Sequence, residues 1–170
     1  MTLPLFCYGS LRALEVRMAL LGEHRNSILQ CYSAQLEGYQ IRQLNGQVYP
    51  TLTVHKNSSV RGIVLGTRIN RDHPRRLLAP ITNEVLAIID QYEGVHEGLY
   101  VRQSIEVSIQ EQDNHTPFMM KAWVYLSGPK LSNISERVWS FEEASIAAQR
   151  VGGWINYLSE DFSYNETERG

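Results

Sequence analysis

Thr82-Asn83-Glu84-Val85-Leu86-Ala87-Ile88-Ile89-Asp90-Gln91-Tyr92-Glu93-Gly94 carries a helix with both ends marked, and the residues beyond it change period. Thr82 suits an N-cap, because its side-chain oxygen can accept an N–H of the first turn. Val85, Leu86, Ile89 and Tyr92 fall on one face of a helix over Asn83–Tyr92. Gly94 stands where a helix ends in the left-handed region. Leu99, Val101, Ile105, Val107 and Ile109 then share one face of an extended segment, with Tyr100, Arg102, Ser104, Glu106 and Ser108 on the other. That alternation predicts a half-buried strand. A helical period passing into a strand period shows that the chain mixes helix and strand, and the α+β class follows from the remaining elements.

The flanks extend the pattern. Downstream, Phe118 to Leu126 reads as a strand reached through a polar turn, Gln110 to Pro117. Upstream, Leu3 to Tyr8 is a short buried strand ended by Gly9-Ser10, and Ala13 to Leu21 has helical spacing with Gly22 as its stop. Ala34 to Leu44, Gln47 to Val54 and Val60 to Ile69 are β-like; Asn45-Gly46 signals a hairpin between the first two. His55 to Ser59 reads as a polar turn. Asn70 to Pro80, with Pro74, Pro80 and three arginines, reads as an insertion loop. Ser140-Phe141-Glu142-Glu143 resembles a capping box opening a helix to about Val151. After Gly152-Gly153, Trp154 to Leu158 predicts another turn or two. The expectation is a small mixed, mostly antiparallel β-barrel or strongly curled sheet of about five or six strands, flanked by about three helices. Residues 1–158 are expected to form a single domain and 159–170 a polar tail.

Bulk properties exclude more than they assign. Hydrophobic residues make up 43% and charged residues 20%, an ordinary globular mixture. A net charge of −2 gives no electrostatic reason to expect nucleic-acid binding, and Arg71, Arg75 and Arg76 read as a solvated cluster. No apolar run has the length of a membrane span. Cys7 and Cys31 form no CxxC pair and the five histidines show no ligand spacing, so no metal site is expected. The first residues read as a strand rather than a signal peptide, which points to a reduced, cytoplasmic protein.

Three features carry chemistry. Tyr8-Gly9-Ser10-Leu11 lies between a strand and a helix, where backbone N–H groups can hold a carboxylate or oxyanion and Gly9 allows close approach. An ordinary strand-to-helix turn would look the same. Glu93 sits at a helix C-terminus, where exposed carbonyls disfavour negative charge. Aimed into a pocket, it would have the raised pKa of a general acid/base; on the surface it would be a small tolerated defect, and taken alone the surface reading outweighs the other. Glu97, between His96 and Gly98, reads as solvated. Among nine tyrosines, Tyr8, Tyr92, Tyr100 and Tyr125 fall near these segments, although singly each is better explained by packing.

Together the segments resemble, in order, the γ-glutamylcyclotransferase-like superfamily. Leu5-Phe6-Cys7-Tyr8-Gly9-Ser10-Leu11-Arg12 is similar to its signature loop. Tyr49-Pro50 and Val60-Arg61-Gly62-Ile63-Val64 resemble its middle strands. Ile89-Asp90-Gln91-Tyr92-Glu93-Gly94 with Gly98-Leu99-Tyr100-Val101-Arg102 resembles its catalytic segment, and Lys121-Ala122-Trp123-Val124-Tyr125 a late strand. The resemblance covers roughly residues 3 to 128. It implies a cofactor-independent cyclisation of a γ-glutamyl amide to 5-oxoproline and a free amine or amino acid. Glu93 would be the acid/base, with Tyr8, Gly9, Ser10, Leu11, Tyr100 and Tyr125 binding substrate. Arg12-Ala13 replaces the aromatic that follows the loop in the glutathione-specific branch, which weighs against glutathione. A non-catalytic small-ligand binder on the same fold, or an amide- or acyl-transfer enzyme, are the alternatives. Partners other than the small-molecule substrate, and the oligomeric state, are left open by the sequence.

Overall fold

The computed structural model of the chain describes residues 2–68, 78–110 and 117–159. Its strands are β1 (Leu5–Cys7), β2 (Leu29–Leu44), β3 (Pro50–Arg68), β4 (Leu78–Ala79), β5 (Tyr100–Ile109), β6 (Phe118–Ser127) and β7 (Ile134–Val138). Its helices are α1 (Leu14–Ser27), α2 (Asn83–Tyr92), α3 (Phe141–Arg150) and a short α4 over 154–159. β1 is fully buried because it has a neighbour on each side, running antiparallel to β3 and parallel to β6. The sheet order is β4-β3-β1-β6-β5-β2-β7, and β2 also pairs with β3. That extra pairing bends five of the strands into a partial ring.

Period-two alternation then separates two cores. Leu5 and Cys7 on β1, with Trp123 and Tyr125 on β6, join Val16, Val85, Ile89, Ala148 and Trp154 from the helices. Phe6 on β1, Ala122 and Val124 on β6, and Val107 and Ile109 on β5 instead join Leu36, Leu52, Val60 and Val64 in a cluster built from strands. One face of the curled sheet therefore packs on helices and the other on its own opposite strands. Tyr100, from the more polar face of its strand, is buried in the helix-side cluster.

α2 has the bounds read from the sequence. The Thr82 hydroxyl accepts the Val85 N–H at 3.3 Å, and Gly94 has φ +66°. Ser140 caps α3, accepting the Glu143 N–H at 3.2 Å.

Other expectations need correcting. Among the described residues the sheet has seven strands rather than five or six, because β4 is two residues long, set by its pairing with β3 and the burial of Leu78, and β7 is set by its pairing with β2. β7 is mostly exposed and lacks alternation, so no local signal marks it. β3 starts at Pro50 rather than Gln47, since Asn45 to Tyr49 close the β2–β3 connection. His55 to Ser59 does not break the chain into two strands. Glu37 pairs with Ser59 and Tyr39 with Val54, so 55–58 bulge opposite Gly38 within one continuous β3. Gly22 does leave helical geometry, at φ +80°, but helix resumes to Ser27. Of Asn70–Pro80, residues 70–77 lie outside the described residues, as does most of the Gln110–Pro117 turn and the tail from 160. Cys7 is buried, Cys31 exposed, and both are free.

Candidate active site

β1 delivers its last residues into the gap between sheet and α2. A 3₁₀ turn, Ser10–Arg12, follows at once, closed by the Arg12 N–H on the Gly9 carbonyl and the Ala13 N–H on Ser10, both at 3.0 Å. These bonds leave the N–H groups of Gly9, Ser10 and Leu11 as the orphan donors of a helix start. Gly9 lets Pro50 pack closely: a Cβ there would lie 3.1 Å from Pro50 Cγ, tighter than an ordinary contact. Across the gap Glu93 is the C-cap of α2, its own N–H held by the Ile89 carbonyl at 2.9 Å.

Tyr8, Gly9, Ser10, Leu11, Glu93, Tyr100 and Tyr125 all line one pocket, of about 360 Å³ with the open space at its mouth included. Cys7, Tyr49 and Pro50 complete the lining. Tyr49 ends the β2–β3 connection and Pro50 opens β3; the sequence marked the pair through its resemblance to the family's middle strands, not as a binding site. Glu97 is exposed and outside the pocket.

The tyrosine hydroxyls are fixed by bonds to other protein groups. Tyr8 donates to the Tyr125 carbonyl at 2.6 Å, Tyr100 to the Pro50 carbonyl at 2.7 Å, and Tyr125 to Asp90 Oδ1 at 2.6 Å. Tyr92, one residue before Glu93, shares a 2.8 Å hydrogen bond with the Ser10 hydroxyl and so ties α2 to the loop. A phenol whose single proton is given away can only accept further bonds. Burial raises the pKa values of Tyr8, Tyr92, Tyr100 and Tyr125 above the ordinary phenol value, so all four stay neutral.

Glu93 keeps some exposed surface as a residue, but its carboxyl group lies down in the pocket. Burial, with the negative charge of Asp90 adding to it, pushes its pKa up to about 8. Burial likewise pushes the Cys7 thiol up to about 12, which leaves it a poor nucleophile at neutral pH. Among the described residues no cluster of three or more His, Cys, Asp or Glu could hold a metal ion. The pocket thus combines acceptor oxygens, orphan backbone donors and one carboxyl group whose pKa burial raises well above the usual carboxylate range.

A curled α+β sheet with a tyrosine-lined pocket and one buried carboxyl group is the cyclotransferase-like class of fold. Residues 5–141 match the family described as Gamma-glutamyl cyclotransferase, AIG2-like, and the chain belongs to that family. It is 28% identical over 158 residues to AIG2-like protein C of Arabidopsis thaliana, covering 93% of this chain and 72% of the relative. A solved structure named Gamma-glutamyl cyclotransferase superposes with a TM-score of 0.57 at 17% identity, over 95% of this chain and 86% of the other. An AIG2-like protein from Mus musculus superposes with a TM-score of 0.54 at 16% identity, over 84% and 90%. At those identities the two structures speak for the fold.

Proposed function

We propose that this protein is a cyclotransferase that converts a γ-glutamyl amide into 5-oxoproline and a free amine or amino acid, with Glu93 as general acid/base. The observation that carries this reading is the Glu93 carboxyl group, buried at a helix end and facing the Gly9-Ser10-Leu11 backbone across one pocket. An α-amino acid head presents a carboxylate and an ammonium together. The orphan N–H groups suit the carboxylate, and the phenol oxygens of Tyr8, Tyr100 and Tyr125 suit the ammonium.

The reaction needs little beyond position. The substrate's α-amine attacks its own γ-carbonyl, forming the ring C–N bond and breaking the amide C–N bond. Holding such a tethered nucleophile in place supplies effective molarities of about 10⁵ to 10⁸ M. Glu93 takes a proton from the attacking nitrogen and returns it to the leaving one. Such transfer typically contributes about 10² to 10⁴-fold, and a pKa near the working pH suits both halves of it. The setting we propose is cytoplasmic; among the described residues no helix is long and apolar enough to cross a membrane.

The test is 5-oxoproline release from a panel of γ-glutamyl amino acids and γ-glutamyl amines, run beside Glu93→Gln. Release by the native protein, lost in a folded variant that still binds 5-oxoproline, supports the assignment. Undiminished release in the variant rules out Glu93 as the acid/base. Free glutamate in place of 5-oxoproline would make the enzyme a hydrolase, and silence with thermal stabilisation by 5-oxoproline would make it a binder.

A further inference from the structure

Asp90 precedes Glu93 by three residues, so the two side chains share a face of α2. It lies outside the pocket lining, yet its carboxylate accepts the hydroxyl of Tyr125, which is inside it, at 2.6 Å. The second carboxylate oxygen is 3.5 Å from Arg102 Nη1. Arg102 and Tyr125 are opposite one another in the β5–β6 ladder, so the sheet register sets this arrangement. The guanidinium lies over the Trp123 ring, 4.7 Å from its centroid. Both charges are largely screened from water, at 17% side-chain exposure for Asp90 and 25% for Arg102. Nη1 is buried and completes no hydrogen bond, so it meets Asp90 through charge alone. A bond-forming bridge would be the usual end of such a pair; here the geometry favours an electrostatic one.

We propose that Asp90 and Arg102 are an opposed pair of positioning residues for Glu93. Asp90 anchors the Tyr125 ring and places a negative field beside the acid/base, and Arg102 limits that field. The inference rests on the reading of Glu93 as the acid/base. Glu93 is also faced by Tyr92 on α2, Cys7 and Tyr8 at the end of β1, Tyr100 on β5 and Tyr125 on β6. All of these stay neutral at neutral pH, so the charge beside Glu93 is that of Asp90, and Arg102, 3.5 Å from its second oxygen, offsets it.

The test titrates the Glu93 carboxyl directly, by ¹³C NMR of protein labelled at glutamate, with the resonance assigned by its loss in Glu93→Gln. Asp90→Asn keeps an acceptor for Tyr125 and removes the charge, so the midpoint falls by roughly one pH unit. Arg102→Gln removes the counter-charge, so the midpoint rises, whereas Arg102→Lys leaves it in place. The acid limb of the kcat/KM profile for 5-oxoproline release moves in the same opposite directions. A midpoint unmoved by Asp90→Asn, or moved the same way by both charge-removing variants, overturns the proposal. Should Arg102→Gln not fold, Arg102→Met, which keeps an apolar stem over Trp123 and removes the charge, takes its place, and a midpoint it leaves unmoved or lowers overturns the role given to Arg102. The NMR titration needs no turnover, so a protein silent on every γ-glutamyl substrate would sink the proposed reaction while still deciding the charge pair.

Discussion

At the scale of single residues, Glu93 is held where its ionised form is disfavoured by burial, by Asp90 and by the carbonyl end of α2. The cost appears as a dependence of stability on pH. In the unfolded chain the carboxyl loses its proton near 4.5, but in the fold it keeps it to about 8. Between those values the folded state binds more protons, so the contribution is fully present below 4.5 and is lost as pH rises to 8. Every tenfold preference of the fold for the protonated form corresponds to about 1.4 kcal/mol. The native protein should therefore lose melting temperature from pH 5 to pH 8 relative to Glu93→Gln, whose amide does not titrate. Parallel melting curves for the two proteins would mean that the carboxyl is hydrated and the pocket open to water. In the sequence this residue showed a local oddity, a glutamate at the wrong end of a helix, which alone favoured a surface position; it was the ordered family resemblance that singled it out. The sequence held no comparable sign of Asp90, which is unremarkable on an amphipathic helix until β6 brings Tyr125 against it.

At the scale of elements, α2 and the turn after it aim the carboxyl group, and Gly94 is the pivot. Its φ of +66° is costly for any residue with a Cβ, by about 1–2 kcal/mol. A Cβ there would also lie 2.7 Å from Leu99 Cδ1 and from Glu97 Oε2. Gly94→Ala should lower stability by that order and reduce kcat more than it changes KM, because the turn that orients Glu93 must shift. Urea denaturation and steady-state kinetics check the two halves; a variant destabilised but kinetically native would free Glu93 from dependence on this turn. α2 was legible because its cap, apolar stripe and terminator are all local. β7 was not, since its register on β2 comes from Arg42↔Val138 and Leu44↔Ile134, partners far away in the chain. The bulge at 55–58 misled for the same reason: polar residues read as a turn, while the β2 ladder carries the strand past them.

At the scale of the whole molecule, the C-terminal segment is tied back to the residues that build the pocket. Trp139 Nε1 donates to the Val48 carbonyl at 3.0 Å, just before the Tyr49-Pro50 pair of the lining. Phe141 lies under the Arg12 guanidinium, 4.1 Å from its ring centroid, and stacks on Trp154 at 5.4 Å. The match to the family ends at residue 141, yet Ala144, Ala148, Trp154 and Leu158 belong to the same buried cluster as Leu5 and Ile89. The sequence marked these helices but had no means of placing them, since every contact that does so is long in range. Glu15 makes another of those links. Its carboxylate accepts the N–H groups of Trp154 at 3.0 Å and Ile155 at 3.3 Å, capping α4 from the first turn of α1. Gly153 beside it has φ +127°, which side chains rarely adopt, and a Cβ there would push against Glu15 Oε1 at 2.7 Å. Glu15→Ala strands two helix-start donors, and the loss of a cap of this kind costs about 1 kcal/mol. The variant should melt earlier and exchange the Trp154 and Ile155 amides faster, while Glu15→Gln, which keeps one acceptor oxygen, falls between it and the native protein. Hydrogen exchange at those two amides decides the matter: native protection in Glu15→Ala would mean that α4 docks through the Phe141–Trp154–Tyr157 aromatic contacts without its cap.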